Sequence, residues 1–131
     1  MIGFSKGQRY FLYRPATDMR KSFNGLGGLV RGEMGGDLMS GDVFIFLNRR
    51  RNRIKLLVWD QSGFAIWYKC LEEGTFELPG NGRRGLEIEL KWEELVLILE
   101  GIKLGSVRRR KRYAHGRRNA QNVDKKTVLE F

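Results

Sequence analysis

The sequence predicts an α+β domain, in which an antiparallel sheet of four or five strands packs with two helices, followed by a basic C-terminal tail. Short apolar runs between glycine- and aspartate-rich turns indicate the strands, and two stretches with apolar residues at helical spacing indicate the helices. The apolar content falls after residue 102. We therefore expect residues 1–102 to form a single domain and residues 103–131 to form the tail.

Three segments have the composition of single strands. Residues 9–15 (RYFLYRP) are aromatic and end at Pro15, whose missing N–H ends a strand. Residues 43–47 (VFIFL) are apolar without alternation, which predicts a central strand buried on both faces. Residues 86–90 (LEIEL) alternate between apolar and acidic side chains, which predicts a strand with one exposed face.

Residues 53–60 and 64–71 are predicted to form a hairpin closed by Gln61, Ser62 and Gly63. A three-residue loop that ends in glycine places Asp60 opposite Phe64. With this register one side of the hairpin is apolar and pairs Ile54 with Cys70, Leu56 with Tyr68, and Val58 with Ile66. The other side combines cations with tryptophans, namely Arg53, Lys55, Trp59, Trp67 and Lys69.

Two segments have helical periodicity. The first has an apolar face made of Met19, Phe23, Leu26 and Val30. Glycines at positions 25, 27 and 28 predict that this helix either packs very closely or ends early, because glycine destabilises a helix interior. The second helix is expected to end at Gly101 and has an apolar face made of Trp92, Leu95, Val96 and Leu99.

Positive charge is concentrated toward the C-terminus. The net charge is +10; residues 1–102 hold 15 Lys and Arg against 13 Asp and Glu, whereas residues 103–131 hold 10 against 2. This balance favours a polyanionic partner and a flexible tail. The single cysteine excludes an intramolecular disulfide, and no apolar run is long enough to span a membrane. We therefore expect a cytoplasmic protein without a membrane partner.

Four arginines crowd the turn between residues 43–47 and 53–60. Turns are usually closed by Gly, Asn or Asp, and in this one only Asn52 is expected to meet that need. Like charges repel, so turn formation does not explain the cluster. We call Arg49, Arg50, Arg51 and Arg53 the arginine tip and predict that it binds nucleic-acid phosphates, because guanidinium groups bridge phosphate oxygens. The alternative is a solvated turn that only aids solubility.

Further cations are predicted to contact nucleic acid. Arg20 and Lys21 are expected in the first turn of a helix, where free N–H groups favour a phosphate, although a local pair with Asp18 is the alternative. Lys55 and Lys69 belong to the basic side of the hairpin. The tail contributes a run of five basic residues, Arg108, Arg109, Arg110, Lys111 and Arg112.

Trp59 and Trp67 have three possible roles. Beside basic residues, they are suited to stacking on bases or sugars. Sheets in a domain of this size also need covering, and tryptophans often provide it within the core. As exposed aromatic residues, they would instead anchor a protein partner.

Enzymatic motifs are absent from the sequence. The glycine-rich stretch GLGG at residues 25–28 matches no nucleotide-binding loop. Metal-dependent phosphoryl transfer needs two or three converging carboxylates, whereas Asp18, Asp42 and Asp60 all fall at predicted caps or turns. We therefore expect no enzymatic activity, no cofactor and no metal site.

Three segments resemble a family of bacterial insertion-sequence proteins. They are TDMRKSFNGLGGLV at residues 17–30, the run from SGDVFIFLNRRRNR to LEEGTF at residues 40–76, and EELVLILEGI at residues 93–102 ahead of RRRKRY. Over about residues 8–113 the chain resembles the accessory protein TnpB of IS66-type insertion sequences, which is distinct from the RNA-guided nuclease of the same name. The resemblance implies a role in transposition beside a larger transposase that carries the acidic catalytic residues.

The sequence therefore predicts a non-catalytic DNA-binding accessory factor in transposition, associated with the nucleoid. Its expected partners are DNA, as element ends or nonspecific duplex, and the separate transposase. The first alternative is a protein-interaction module that docks onto the transposase through Trp59 and Trp67. The second is a metal-dependent nuclease.

Overall fold

The computed structural model describes residues 4–79 and 85–101, which form a mixed sheet with helices on both faces. The predicted α+β fold is confirmed. The predicted boundary at residue 102 and the basic tail lie outside the described residues and stay predictions. The strands are β1 (Tyr10–Tyr13), β2 (Val43–Leu47), β3 (Arg53–Asp60), β4 (Gly63–Cys70) and β5 (Glu87–Leu90). The helices are α1 (Phe23–Leu29), which continues into a π-helical segment (Val30–Met34), and α2 (Trp92–Glu100).

The five described strands are arranged in the order β4-β3-β2-β1-β5. All five residues of β2 are buried, which confirms the prediction of a central strand. The sheet is mostly antiparallel, but β1 and β2 run parallel, with Tyr10 opposite Val43. The expectation of a purely antiparallel sheet is therefore wrong for this pair. The physical reason is the connection, because parallel neighbours need a long crossover and α1 with its flanking loops supplies it.

The two faces of the sheet bury separate apolar clusters. Leu95, Ile98 and Leu99 of α2 pack on the face that carries Leu12 and Ile45. On the opposite face, Leu26 of α1 and Val30 and Met34 of the π-helical segment pack on Phe44 and Phe46. The alternation of side chains along β2 thus supplies both cores, because successive residues of a strand point to opposite faces.

The glycine-rich helix α1 shows both outcomes that its glycines predicted, close packing and an early end. It packs closely, since a Cβ at Gly27 would lie 3.2 Å from Leu38 Cδ1. It also ends early, widening into the π-helical segment that stops at Gly35 with φ +66°. Leu26 and Val30 are buried as predicted, but Phe23 is 46% exposed and Met19 precedes the helix. Part of the predicted apolar face is therefore surface.

The second helix has the predicted limits. The side chain of Glu94 accepts a hydrogen bond from the Lys91 backbone N–H at 3.0 Å, which stabilises the start of α2. Gly101 ends the helix with φ +81°. Its buried residues include the predicted Leu95, Val96 and Leu99, whereas Trp92 is partly buried.

The β3–β4 hairpin differs by one residue from the predicted register. Asp60 pairs with Gly63, and Trp59 rather than Asp60 lies opposite Phe64. The turn consists of Gln61 and Ser62; Gln61 has φ +55°, and the Ser62 N–H donates to the Asp60 carbonyl. A shift of one residue changes which side chains of the two strands share a face. The observed register therefore sets which side chains lie beside the cations of β3.

Candidate nucleic-acid interface

The arginine tip is a turn organised by Asn48. Its Oδ1 atom accepts hydrogen bonds from the backbone N–H groups of Asn52 and Arg53, both at 3.0 Å. Its Nδ2 group donates to Asn52 Oδ1 at 2.7 Å, and its carbonyl accepts from the Arg51 N–H at 3.0 Å. The sequence suggested that Asn52 alone closes the turn, and this expectation is wrong. Asn48 supplies most of the bonds, which is the role that short amide side chains commonly have in turns.

The base of the turn is held by the segment that follows β4. The Phe76 N–H donates to the Arg51 carbonyl at 2.7 Å, and the Leu71 N–H donates to the Asn52 carbonyl at 2.8 Å. Arg51 also has φ +58°, a conformation that asparagine and glycine adopt more readily than arginine. The backbone is thus bonded from two sides while the side chains of Arg49, Arg50 and Arg51 are exposed. A fixed backbone presents these guanidinium groups outward.

Arg53 is the first residue of β3, and its side chain contacts the neighbouring strand β4. Its Nη1 group donates to the Tyr68 hydroxyl at 3.3 Å. This hydrogen bond, with the charge interaction of the same hydroxyl, raises the pKa of Arg53 above its ordinary value. The side chain stays exposed and charged, so it remains able to contact a phosphate.

Lys55 does not have the exposed position that its predicted role requires. It is only 8% exposed, and its Nζ group donates to the carbonyls of Met19 at 2.9 Å and Lys21 at 2.8 Å. The ammonium also lies 4.8 Å from the centroid of the Tyr68 ring. Lys55 therefore fixes the loop before α1 to the sheet, and we leave it out of the interface.

The loop that carries Arg20 and Lys21 precedes α1, so these residues do not lie in a helical first turn. Arg20 forms the local pair with Asp18 that was the alternative, with Nη2 2.7 Å from Oδ2 and Nε 3.1 Å from Oδ1. These bonds lower the pKa of Asp18 to about 2. Lys21 is exposed, and the Thr17 N–H bonds to the Leu47 carbonyl at 2.8 Å. The loop therefore lies at the same end of the sheet as the arginine tip.

The residues predicted to form the basic and aromatic side of the hairpin lie on two different faces of the sheet. Arg53, Lys55 and Trp59 share one face with Cys70, Tyr68 and Phe64, their partners across the strands. Lys69 and Trp67 lie on the other face, opposite Ile54 and Leu56, and Trp67 packs against the core under α2. The expectation that Trp59 and Trp67 share a side is therefore wrong, and so is the placement of Cys70 on the apolar side, because Cys70 is exposed.

The three aspartates considered as metal ligands do not form one group. Asp18 pairs with Arg20, Asp42 pairs with Arg9 at 2.8 Å, and Asp60 lies at the β3–β4 turn. Among residues 4–79 and 85–101, no group of three His, Cys, Asp or Glu side chains is close enough to hold a metal ion. No helix in the same residues is long and apolar enough to cross a membrane. The basic run from Arg108 to Arg112 lies outside the described residues.

Sequence reasoning missed Asn48, Tyr68 and Phe64 as residues of this region. Asn48 could have been recognised from the sequence, since Asn48 and Asn52 flank the three consecutive arginines. Tyr68 and Phe64 could not have been recognised from the sequence, because their position beside the cations depends on the β3–β4 register. An error of one residue assigned Tyr68 to the apolar side and placed Trp67 beside the cations.

The structure thus defines a small α+β protein with a cationic hairpin tip at one end of its sheet. The family model for IS66 Orf2 like protein matches residues 8–109. A relative from Sinorhizobium fredii (strain NBRC 101917 / NGR234), "Uncharacterized protein y4jC", is 34% identical over 110 residues, which covers 84% of this chain and 92% of the relative. No solved structure matched the chain. The chain belongs to the IS66 Orf2-like family, as the resemblance predicted, and membership implies a role in insertion-sequence transposition.

Proposed function

We propose that this protein is a non-catalytic DNA-binding accessory factor in the transposition of an IS66-type insertion sequence, acting at the nucleoid beside the transposase. The arginine tip is its main phosphate contact. One observation carries the proposal: Arg49, Arg50 and Arg51 are exposed on a turn whose backbone is bonded to Asn48, Leu71 and Phe76. Such a turn needs no cationic side chains for its own stability, so their accumulation is explained by an anionic partner.

The contribution of each basic residue depends on its existing contacts. Arg53 is exposed beside the tip, and Lys21 is exposed on the adjacent loop. Arg20 already binds Asp18 and is expected to contribute less. Lys69 lies on the other face of the hairpin, so it is not adjacent to Arg53. The interface therefore centres on the tip.

The two alternatives, a docking module and a nuclease, each require an arrangement of side chains that the described residues do not have. A docking module with Trp59 and Trp67 as joint anchors needs both on one surface, and they lie on opposite faces of the sheet. A nuclease needs converging carboxylates, and among residues 4–79 and 85–101 no group of three His, Cys, Asp or Glu side chains could hold a metal ion. We therefore carry only the DNA-binding proposal forward.

A salt titration with a matched control tests the proposal. The test variant replaces Arg49, Arg50 and Arg51 by Gln, and the control replaces Lys6, Arg9 and Lys91, three exposed cations at the opposite end of the sheet, by Gln. Both variants have the same net charge. Each phosphate contact adds about −0.9 to the slope of log affinity against log salt, so the test variant should lose about 2 to 3 units of slope.

The control variant should keep a slope close to that of the wild type. The affinity that the test variant loses should be the same for element-end and unrelated duplexes, because phosphate contacts carry no base-sequence information. Fluorescence anisotropy at several salt concentrations measures the slope, and circular dichroism checks folding. Equal slopes for the two folded variants would refute the arginine tip as the phosphate contact.

A further inference from the structure

The edge strand β4 presents two exposed aromatic rings on one face. Phe64 is 38% exposed and Tyr68 is 46% exposed. Both lie opposite residues of the same face of β3, Phe64 opposite Trp59 and Tyr68 opposite Lys55. Four residues along a strand correspond to about 13 Å, so the rings form a row rather than a single cluster.

Each ring is supported by neighbouring side chains. The Lys55 ammonium lies 4.8 Å from the centroid of the Tyr68 ring, and Arg53 donates to the Tyr68 hydroxyl at 3.3 Å. Phe64 meets Trp59 edge to face, with centroids 4.9 Å apart. These contacts restrict the rings before any ligand arrives, and a ring that is already oriented loses less entropy on binding.

The row of rings leads to the arginine tip. Arg53 lies on the same face and pairs with Cys70, two residues beyond Tyr68 on β4. The remaining arginines of the tip, Arg49, Arg50 and Arg51, precede Arg53 in the same turn. Aromatic rings beside a line of cations fit the two parts of an unpaired nucleic-acid strand, since bases stack on rings while phosphates contact cations. In a duplex the bases are stacked inside and cannot reach such rings.

We propose that this face of β4 binds an unpaired DNA strand, with Tyr68 and Phe64 stacking on bases and the arginine tip contacting the adjacent phosphates. The inference rests on the proposed DNA-binding function and adds to it the form of DNA that is recognised. The four exposed arginines of the tip favour a nucleic-acid strand as the partner, because its backbone carries a negatively charged phosphate at every nucleotide.

The test compares three labelled probes by fluorescence anisotropy: an oligothymidylate, an abasic strand of the same length, and a duplex of the same length. The variants are Tyr68→Leu, which removes the aromatic ring, and Tyr68→Phe, which keeps it. The control is Leu86→Ala, which truncates a side chain that is also 46% exposed but lies next to β5, at the other edge of the sheet. Thermal unfolding establishes that each variant is folded.

Wild-type protein should bind oligothymidylate more tightly than the abasic strand, since both have phosphates and only one has bases. Tyr68→Leu should weaken oligothymidylate binding by about 5- to 150-fold and leave duplex binding unchanged. Tyr68→Phe and Leu86→Ala should bind like the wild type. Equal affinity of the wild type for the thymidylate and abasic strands, or an unchanged affinity of Tyr68→Leu for oligothymidylate, would overturn the inference.

This failure is distinguishable from failure of the proposed function. If the salt slope depends on the arginine tip but Tyr68→Leu has no effect, only the stacking site is refuted. If Tyr68→Leu weakens strand binding but the Arg49, Arg50 and Arg51 variant keeps the wild-type slope, the tip is refuted as the phosphate contact. A wild-type protein that binds none of the probes refutes both.

Discussion

The two ends of the sheet use positive charge in opposite ways. At the end where β1 begins, Arg9 binds Asp42 through two hydrogen bonds of 2.8 and 3.1 Å, and Lys6 lies 3.2 Å from Glu93. At the other end, Arg49, Arg50 and Arg51 have no side-chain partner among the residues that the structure describes. Total charge therefore does not locate a binding surface. We expect the cations that lack an acidic neighbour to mark the binding surface.

Cations at the same end of the sheet also differ in their partners. Arg20 lies at the same end of the sheet as the arginine tip but is paired with Asp18, whereas the Arg53 side chain donates to the Tyr68 hydroxyl. Lys55 is enclosed and donates to backbone carbonyls. These three cations thus differ in the partners that they bind.

Asn48→Ala has the largest expected effect on stability, because the Asn48 side chain makes three hydrogen bonds in the turn. Their loss should lower the free energy of unfolding by about 2–3 kcal/mol. Urea unfolding measures this change. DNA affinity should also fall although all four arginines remain, since the turn no longer holds them in one arrangement.

Asn48→Asp is the matched control for that variant. It keeps the oxygen that accepts from Asn52 and Arg53, loses the Nδ2 donor, and adds a negative charge beside the arginine tip. Its stability should therefore lie between those of the wild type and Asn48→Ala. Wild-type stability in Asn48→Ala would show that the turn is held by its backbone contacts alone.

Lys55→Met should have a smaller effect. The apolar part of the side chain is retained, but the carbonyls of Met19 and Lys21 lose their donor, at a cost of about 1 kcal/mol. Release of the loop should speed hydrogen exchange at the Lys21 N–H, which bonds to the Asp18 carbonyl at 3.0 Å. Exchange measured by NMR tests this, with Lys21→Met, at an exposed side chain, as the control. Unchanged exchange in Lys55→Met would mean that Lys55 does not fix the loop.

Arg20→Gln has the smallest expected effect on DNA binding. Asp18 already neutralises Arg20, so this variant should change the salt slope less than Arg50→Gln does. The measurement is the same anisotropy titration with duplex DNA. Equal changes in slope would show that Arg20 leaves Asp18 to contact phosphate.

The pH dependence of the Asp18 pair provides an independent check. Hydrogen bonds from Arg20 lower the pKa of Asp18 from 3.8 to about 2. The carboxylate form is favoured in the folded state, so its stabilising contribution is complete above the ordinary value and is lost as the pH falls through about 2. Carbon NMR of the side-chain carboxyl should give this midpoint, and Arg20→Gln should return it toward 3.8.

Local sequence patterns were sufficient for most elements of the fold. The apolar run of residues 43–47 predicted the buried centre of the sheet, and the spacing from Trp92 to Gly101 predicted α2 with its stop. The arginine tip lies at its predicted place, because the two strands that it joins, β2 and β3, define the position of the turn. In each case, residues close in the chain determine the outcome.

The tertiary structure decided the properties that depend on residues distant in the chain. The parallel β1–β2 pair, the enclosure of Lys55 by the loop before α1, and the division of Trp59 and Trp67 between two faces all follow from pairing or packing between separate segments. Side chains alternate with a period of two along a strand, so a register error of one residue exchanged Tyr68 for Trp67 beside the cations. Composition alone contains no information about such a register, because it is set by the turn at Gln61 and by burial on both sides of the sheet.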